Sequence, residues 1–350
     1  MPQERLPRTL RIAAVNRIRK PDWEWVFPKL SFADQLDVTH YRIPPARHDG
    51  TWRQGIASAL EARRIWREHQ RESFDLILSF LPGCAAWVEQ FRGGRSARHD
   101  LFAFNFTDLP QGSRRAAMGR AFSRLHQGFV FTEMEARLYA EAFGLDRQRL
   151  VLWPWGVQAP EFAPQREIEG PYIAALGGEA RDYAVLMEAA RLRPDERFVI
   201  VARPKNLVGL DVPRNVTVLV NIPPERAWSV LAHADAHVLP MRSTETPCGI
   251  VSLVGAMHLG VPQVVTAAEG VLEYASDGRE ALAVEPGSAM AIAEAIDRLR
   301  RDEALRARLG AAAKEKAARF YSEETTVRYA EHYLRRIAEE PTALVKEFAE

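Results

Sequence analysis

The sequence predicts an α/β protein made of two consecutive halves, each a parallel sheet covered by helices on both faces. Three observations carry this. Short apolar runs recur along the chain with helical stretches between them. Several are apolar without interruption, such as Asp75 to Phe80 (DLILSF), as in strands buried on both faces. The chain has 350 residues, more than one hydrophobic core usually organises, and its alternation pauses at residues 158–171 (QAPEFAPQREIEGP), a linker rich in proline and charge.

The first half opens with strands at Arg11 to Asn16 and Val38 to Ile43. A helix from Trp52 to Arg71 follows, with Trp52, Ile56, Ala59, Leu60 and Trp66 near one face and arginines on a solvated one. Further strands are Asp75 to Phe80, Leu101 to Phe106 (LFAFNF), Gly128 to Thr132 and Leu150 to Trp153, with a helix at Glu133 to Phe143. The second half restarts at Tyr172 to Leu176 and runs through strands at Arg197 to Ala202, Val216 to Asn221, His237 to Pro240, Gln263 to Thr266 and Ala281 to Val284. Helices lie between them, and two helical segments, Glu303 to Arg319 and Glu323 to Glu339, finish the chain. The last carries an apolar stripe of Val327, Tyr329, Ala330, Tyr333, Leu334 and Ile337.

Composition narrows the function. Apolar residues make up 47% and charged residues 27%, as in a soluble globular protein. Lys plus Arg number 47 against 46 Asp plus Glu, a net charge of +1, which argues against a general nucleic-acid binder. Two distant cysteines, Cys84 and Cys248, offer no disulfide framework and fit a reducing cytoplasm. No apolar run spans a membrane, so membrane contact is at most peripheral. No histidine-rich metal pattern, GxGxxG fingerprint, NTPase phosphate loop or GxSxG elbow occurs.

Chemistry-bearing residues gather where strands end. The turn Gly177–Gly178–Glu179–Ala180–Arg181–Asp182 follows a strand and opens a helix, so its glycines allow close backbone approach and Arg181 is placed to hold phosphate oxygens. Arg203 and Lys205 directly follow another strand. After His237 to Pro240 comes a polar loop, Arg242 to Thr246, and then Cys248, Gly249 and Ile250 begin a helix with free N–H groups. Together these suit a diphosphate neutralised by side-chain cations. In the first half, Asn105, Thr107 and Asp108 end one strand and Glu133 and Glu135 follow another. Asp108 is placed either to orient an acceptor hydroxyl or to cap a turn. Trp23 and Trp25, beyond the first strand, are candidates for stacking on a sugar or for packing.

From about Pro171 onward the chain resembles the donor half of GT-B glycosyltransferases of the large retaining family four, the group 1 glycosyltransferases. The resemblance rests on Ala232 to Pro240, on Gly255–Ala256–Met257–His258–Leu259–Gly260–Val261–Pro262, and on Gly270 to Tyr274 with Asp277–Gly278. Glu285–Pro286–Gly287, Leu305 to Ala313 and Phe320–Tyr321–Ser322 extend it, with weaker echoes at Val130 to Ala136 and Trp155–Gly156–Val157.

The resemblance implies two Rossmann-like domains facing across a cleft: an acceptor domain at 1–157, a linker at 158–171, a donor domain at 172–320, and a C-terminal helix at 321–350 returning to the first domain. It implies a retaining, hexosyltransferase-like enzyme that takes a nucleotide-diphosphate-sugar without metal or other cofactor. The acceptor would be a glycan, lipid-linked or small-molecule hydroxyl. By the same resemblance Glu245 is the first of two family glutamates, a catalytic residue beside Asp108. Gly177, Gly178, Arg181, Arg203, Lys205, Thr246, Cys248, Gly249 and Ile250 would bind donor, and Trp23, Trp25 and Thr107 acceptor. Gly255 stands where the family has its second glutamate, ten residues after Glu245 rather than eight. That departure leaves a second reading open, a catalytically degenerate relative that binds nucleotide or glycan. A sugar epimerase of the same fold is a third.

Overall fold

The computed structural model describes residues 5–17, 24–44, 52–157, 160, 162–242, 246, 248–345 and 348. The chain divides into two compact units: Met1–Pro154 with Thr326–Glu350, and Trp155–Thr325.

In the first unit the strands are β1 (Leu10–Asn16), β2 (Leu36–Arg42), β3 (Leu76–Phe80), β4 (His99–Phe102), β5 (Gln127–Val130) and β6 (Leu150–Leu152). The helices are α1 (Trp52–Arg71), α2 (Pro82–Gln90), α3 (Gly112–Phe122) and α4 (Glu133–Phe143). Every strand pair is parallel and the order is β2-β1-β3-β4-β5-β6. The order therefore reverses between β1 and β3. Alternation along β1 and β3 splits the core. Ile12, Ala14, Leu76 and Leu78 face one side, while Ala13, Val15 and Ile77 meet Ile65 and Trp66 of α1 and Cys84 and Val88 of α2 on the other.

The second unit contains β7 (Ile173–Leu176), β8 (Phe198–Ala202), β9 (Val216–Val220), β10 (Ala236–Leu239), β11 (Gln263–Thr266) and β12 (Leu282–Val284). Its helices are α5 (Tyr183–Leu192), α6 (Pro224–Ala232), α7 (Ile250–Leu259), α8 (Glu269–Leu272), α9 (Ala289–Arg301) and α10 (Glu303–Phe320). This sheet is also parallel throughout, in the order β12-β11-β10-β7-β8-β9. That is the doubly wound dinucleotide-binding order, with its reversal between β7 and β10. Residues beyond the proline-rich stretch's start lie against this unit: Gln165 N–H donates to Ser229 Oγ (3.2 Å), and Glu167 pairs with Arg226 (2.6 Å).

The run read as one strand from Leu101 to Phe106 is a correction. Strand β4 stops at Phe102, Ala103 takes a positive φ of 56°, and Phe104 and Phe106 turn into an aromatic cluster with Phe122, Tyr139 and Phe143. Helices α2 and α3 go beyond what the apolar period of the sequence predicts. One is short and begins Pro-Gly; the other is studded with arginine and alanine on all sides.

The final helix, α11 (Glu323–Glu339), buries Tyr329, Ala330, Tyr333, Leu334 and Ile337 against the β1–β3 face of the first unit. A buried polar network fixes this return. Arg98 pairs with Asp100 (2.8 Å) and donates to the carbonyls of Pro341 (3.0 Å) and Ala343 (2.7 Å). Tyr333 OH donates to Asp100 (2.6 Å), and Gln127 exchanges hydrogen bonds with Val345 (2.6 and 3.0 Å). We expect Tyr333→Phe to cost about 1–3 kcal/mol, because it removes a donor from a buried carboxylate. Hydrogen exchange should show the loss at β4, β5 and α11; an effect concentrated in residues 173–284 would contradict this assignment.

Candidate functional site

In open α/β sheets, ligands bind outside the carboxyl ends of the strands at the point where strand order reverses. In the second unit that point lies between β7 and β10, and the glycine turn and the polar loop both emerge there. The turn is locally determined. Gly177 has φ +113°, Ala180 φ +53°, and Asp182 caps α5 by accepting from Val185 N–H (3.1 Å). Backbone bonds from Asp182 N–H to Pro240 O and from Arg242 N–H to Ala180 O (2.9 Å each) lace the turn to the segment after β10.

Arg181 lies at the centre of this lacing. Its Nε donates to Leu176 O (3.0 Å), Nη1 to Glu179 O (2.9 Å) and Nη2 to Ser252 Oγ (2.9 Å). A Cβ on Gly177 would sit 2.5 Å from the guanidinium, and one on Gly249 2.8 Å from it. The planar group is wedged between two glycines, and burial lowers its pKa. Read from sequence, Arg181 is a hand reaching for phosphate; in the structure three of its donors are spent on the loop itself. Nη1 also donates to Met241 Sδ (3.5 Å), leaving one N–H.

Arg203 and Lys205 lie beyond β8, both exposed and both paired with Glu179 Oε1 (2.6 and 3.2 Å). Gly178 is held by Asn206, whose Nδ2 donates to its carbonyl (2.6 Å), and a Cβ there would meet Asn206 Oδ1 at 2.8 Å. Asn206 and Ser252 were missed by sequence reasoning, since nothing marks a lone Asn or a helical Ser as a loop tie. Beyond β10, Thr246 and Cys248 are buried and in contact (Oγ1 to Sγ 3.7 Å), and Gly249 takes φ +91° to start α7 at Ile250. Glu245 lies outside the described residues, as do Ser243 and Thr244. Gly255 faces α6, where a Cβ would stand 3.0 Å from the Trp228 ring.

The first-unit candidates are less convergent. Asp108 is exposed in a bend, and Thr107 beside it is half-buried. Trp25 sits in a 3-10 turn (Glu24–Lys29), with the Lys29 ammonium 5.4 Å from its ring; Trp23 lies outside the described residues. The built feature at these strand ends is Glu135. Thr132 caps α4 by accepting from Glu135 N–H (3.0 Å), and the carboxylate turns back as in a capping box. It accepts from Phe131 N–H, Asn105 Nδ2 and Tyr139 OH, each at 2.9 Å. Burial pushes its pKa up to about 7 despite these donors. Among the described residues no group of three His, Cys, Asp or Glu is placed to hold a metal, and no helix is long and apolar enough to cross a membrane.

A carboxyl whose folded pKa exceeds its unfolded value stabilises the fold below the unfolded value, near 4.5, and loses that contribution as pH rises through about 7. Urea unfolding at pH 5 and pH 8 should therefore show wild type losing about 1–3 kcal/mol more than Glu135→Gln across this window. Equal pH dependence in the two proteins would exclude a raised Glu135.

Comparison with known proteins places these features. Residues 179–316 match the family model described as glycosyl transferases group 1. No curated protein matches the chain by sequence. Among solved structures, sucrose-phosphate synthase from Thermosynechococcus elongatus superposes with a TM-score of 0.76 at 14% identity, covering 94% of this chain and 99% of that one. HepE of Anabaena in complex with UDP-glucose gives 0.73 at 13%, over 93% and 99%. A glycosyltransferase from Rickettsia africae gives 0.69 at 11%, over 95% and 99%. Two six-stranded parallel sheets in the same architecture give the chain the GT-B fold, and the segment similar to glycosyl transferases group 1, residues 179–316, lies inside the second unit.

Proposed function

We propose that this protein transfers a sugar from a nucleotide-diphosphate-sugar to a hydroxyl acceptor, with retention of configuration and without a metal ion. The observation that carries the reading is the convergence at the β7/β10 reversal: a two-glycine turn, exposed cations beyond β8 and the amino end of α7. Such an arrangement suits a diphosphate, which needs positive charge and backbone N–H groups rather than hydrophobic enclosure. The UDP-glucose complex of the structurally similar HepE supports a nucleotide-sugar as the donor.

The roles we propose are these. Arg203 and Lys205 share Glu179 in an exposed pairing of the kind that contributes little to stability, so a diphosphate can replace that carboxylate. Arg181 holds the loops in place and adds a fixed positive charge behind them. The departing diphosphate would be stabilised by these cations and by the N–H groups at Gly249 and Ile250, an electrostatic contribution present before the reaction begins. Glu245 is assigned to the donor sugar's hydroxyls, and Asp108 and Thr107 to the acceptor side.

Calorimetric titration of UDP in the presence of EDTA tests the donor site. Arg203→Ala and Lys205→Ala should each weaken binding about tenfold, as expected on losing a charge-assisted hydrogen bond partly screened by solvent. Wild-type affinity in both variants would remove the β8 end from the site. The anomeric configuration of the product, read by NMR, decides retention.

Gly255 and its neighbour favour keeping a second reading, in which the chain binds a nucleotide-sugar without turnover. The Trp228 ring fills the space beside Gly255 that a side chain would need. We expect Gly255→Glu to destabilise the chain by about 1–3 kcal/mol through overpacking, measured as a lower urea midpoint, and not to raise activity. Slow release of UDP from UDP-glucose without acceptor supports the transferase; binding with no hydrolysis or transfer supports the second reading.

A further inference from the structure

A single acid stands among the cations at the end of β8. Glu179 is the third residue of the glycine turn, and its Oε1 lies 2.6 Å from Arg203 Nη1 and 3.2 Å from Lys205 Nζ. Among the described residues no other carboxylate is within ion-pair distance of either cation. Asp182, three positions on, is committed to capping α5 through Val185 N–H (3.1 Å). One carboxylate oxygen therefore serves both of the cations assigned to the diphosphate.

The turn does not need this side chain. Tyr183 OH donates to Gly177 O (2.6 Å), Asn206 Nδ2 to Gly178 O (2.6 Å), Arg181 Nη1 to Glu179 O (2.9 Å) and Arg242 N–H to Ala180 O (2.9 Å). Four consecutive carbonyls are thus fixed without the carboxylate. The ion pairs themselves stand in solvent, with Glu179 48%, Arg203 59% and Lys205 62% exposed along their side chains. Exposed pairs contribute little to stability, because water competes for both partners. A side chain on a fixed backbone, weakly bonded to two cations, can rotate away and leave the turn where it is.

The same geometry makes Glu179 a competitor, since it gives Arg203 and Lys205 the anionic oxygen that a phosphoryl group would give them. We propose that Glu179 is a resident counterion of the donor site. It occupies the two cations while the site is empty, swings into solvent when a nucleoside diphosphate binds, and returns to them as the diphosphate leaves. This rests on the reading of the strand end as the diphosphate site and adds how that site is emptied. Two effects act in one direction. The ligand must break both ion pairs on arrival, and the displaced carboxylate then stays on the neighbouring turn as a like charge beside the phosphates. Both weaken diphosphate binding and favour its departure. A purely cationic subsite would hold the product, and in many enzymes product release limits turnover.

The test is calorimetric titration of the full chain with UDP and with uridine, in wild type, Glu179→Gln, Arg203→Ala and Lys205→Ala. Glu179→Gln should lower the Kd for UDP about three- to tenfold and leave uridine, which carries no phosphate, unchanged. Release of N-methylanthraniloyl UDP, chased with unlabelled UDP and followed by fluorescence, should slow by a similar factor, because such changes in affinity fall mostly on the off-rate. Glu188→Gln removes another exposed acid, paired with Arg191 (2.6 Å) on α5, and should change neither measurement, which separates the counterion from net charge. Unchanged or weaker UDP binding in Glu179→Gln, an equal gain for uridine or in Glu188→Gln, or tighter binding with unaltered release overturns the proposal. If Arg203→Ala and Lys205→Ala still weaken UDP binding in that case, the donor site stands and only the counterion falls. If both bind UDP as wild type does, or wild type binds none, the donor site itself fails and takes the counterion with it.

Discussion

The second unit depends on a buried guanidinium held by neutral oxygens. Arg181 ties the carbonyl at the end of β7, its own turn and the first turn of α7 into one body, and among the described residues no carboxylate lies within ion-pair distance of it. A desolvated cation is costly unless its N–H groups are matched, and here three meet oxygens and a fourth meets Met241 Sδ. The arrangement needs glycine at 177 and 249, because a Cβ at either would occupy the place of the guanidinium. Sequence, backbone conformation and charge are therefore one constraint. The glycines exist for the arginine as much as for any ligand, and the arginine leaves a positive potential where the strands end.

The two units solve the same architectural problem with different strand orders, and this sets where each gathers its chemistry. In the second, the reversal at β7/β10 brings together two segments far apart in the chain, the glycine turn after Leu176 and the segment after Leu239 that leads to α7. In the first, the reversal at β1/β3 brings Arg17 to the head of α2. The first unit also recovers the end of the chain. Asp100 and Arg98 on and beside β4 are buried charges satisfied partly by residues more than two hundred positions away, Tyr333, Pro341 and Ala343. Buried ion pairs contribute little net stability, but an unmatched one is expensive, so such a network selects a single docking of the C-terminal segment.

Much of this was legible in the chain itself. Uninterrupted apolar strands alternating with amphipathic helices specify a parallel sheet, because only strands covered on both faces lack a polar side. The bounds of α1, α4 and α11 follow from their apolar period, and Gly144 ends α4 at φ +65°. The donor-side candidates at Gly177, Gly178, Arg203 and Lys205 were legible because each directly follows a strand, and strand ends are the one part of this architecture whose position in space can be inferred from position in sequence. The run LFAFNF misled because apolarity is shared by strands and by loops that fill a core; Ala103 turns the chain, and Phe104 follows outside the strand with its N–H donated to Phe129 O (2.9 Å).

What the sequence determined by itself is the architecture and the set of residues standing at strand ends, since both follow from local periodicity. Tertiary structure alone decided which of those residues are free to act. It turned Arg181 inward, paired Arg203 and Lys205 with Glu179, and set Trp228 against Gly255. Those outcomes depend on distances between segments far apart in the chain. Hydrogen-bond and charge matching act on such distances, and no period within a single segment encodes them.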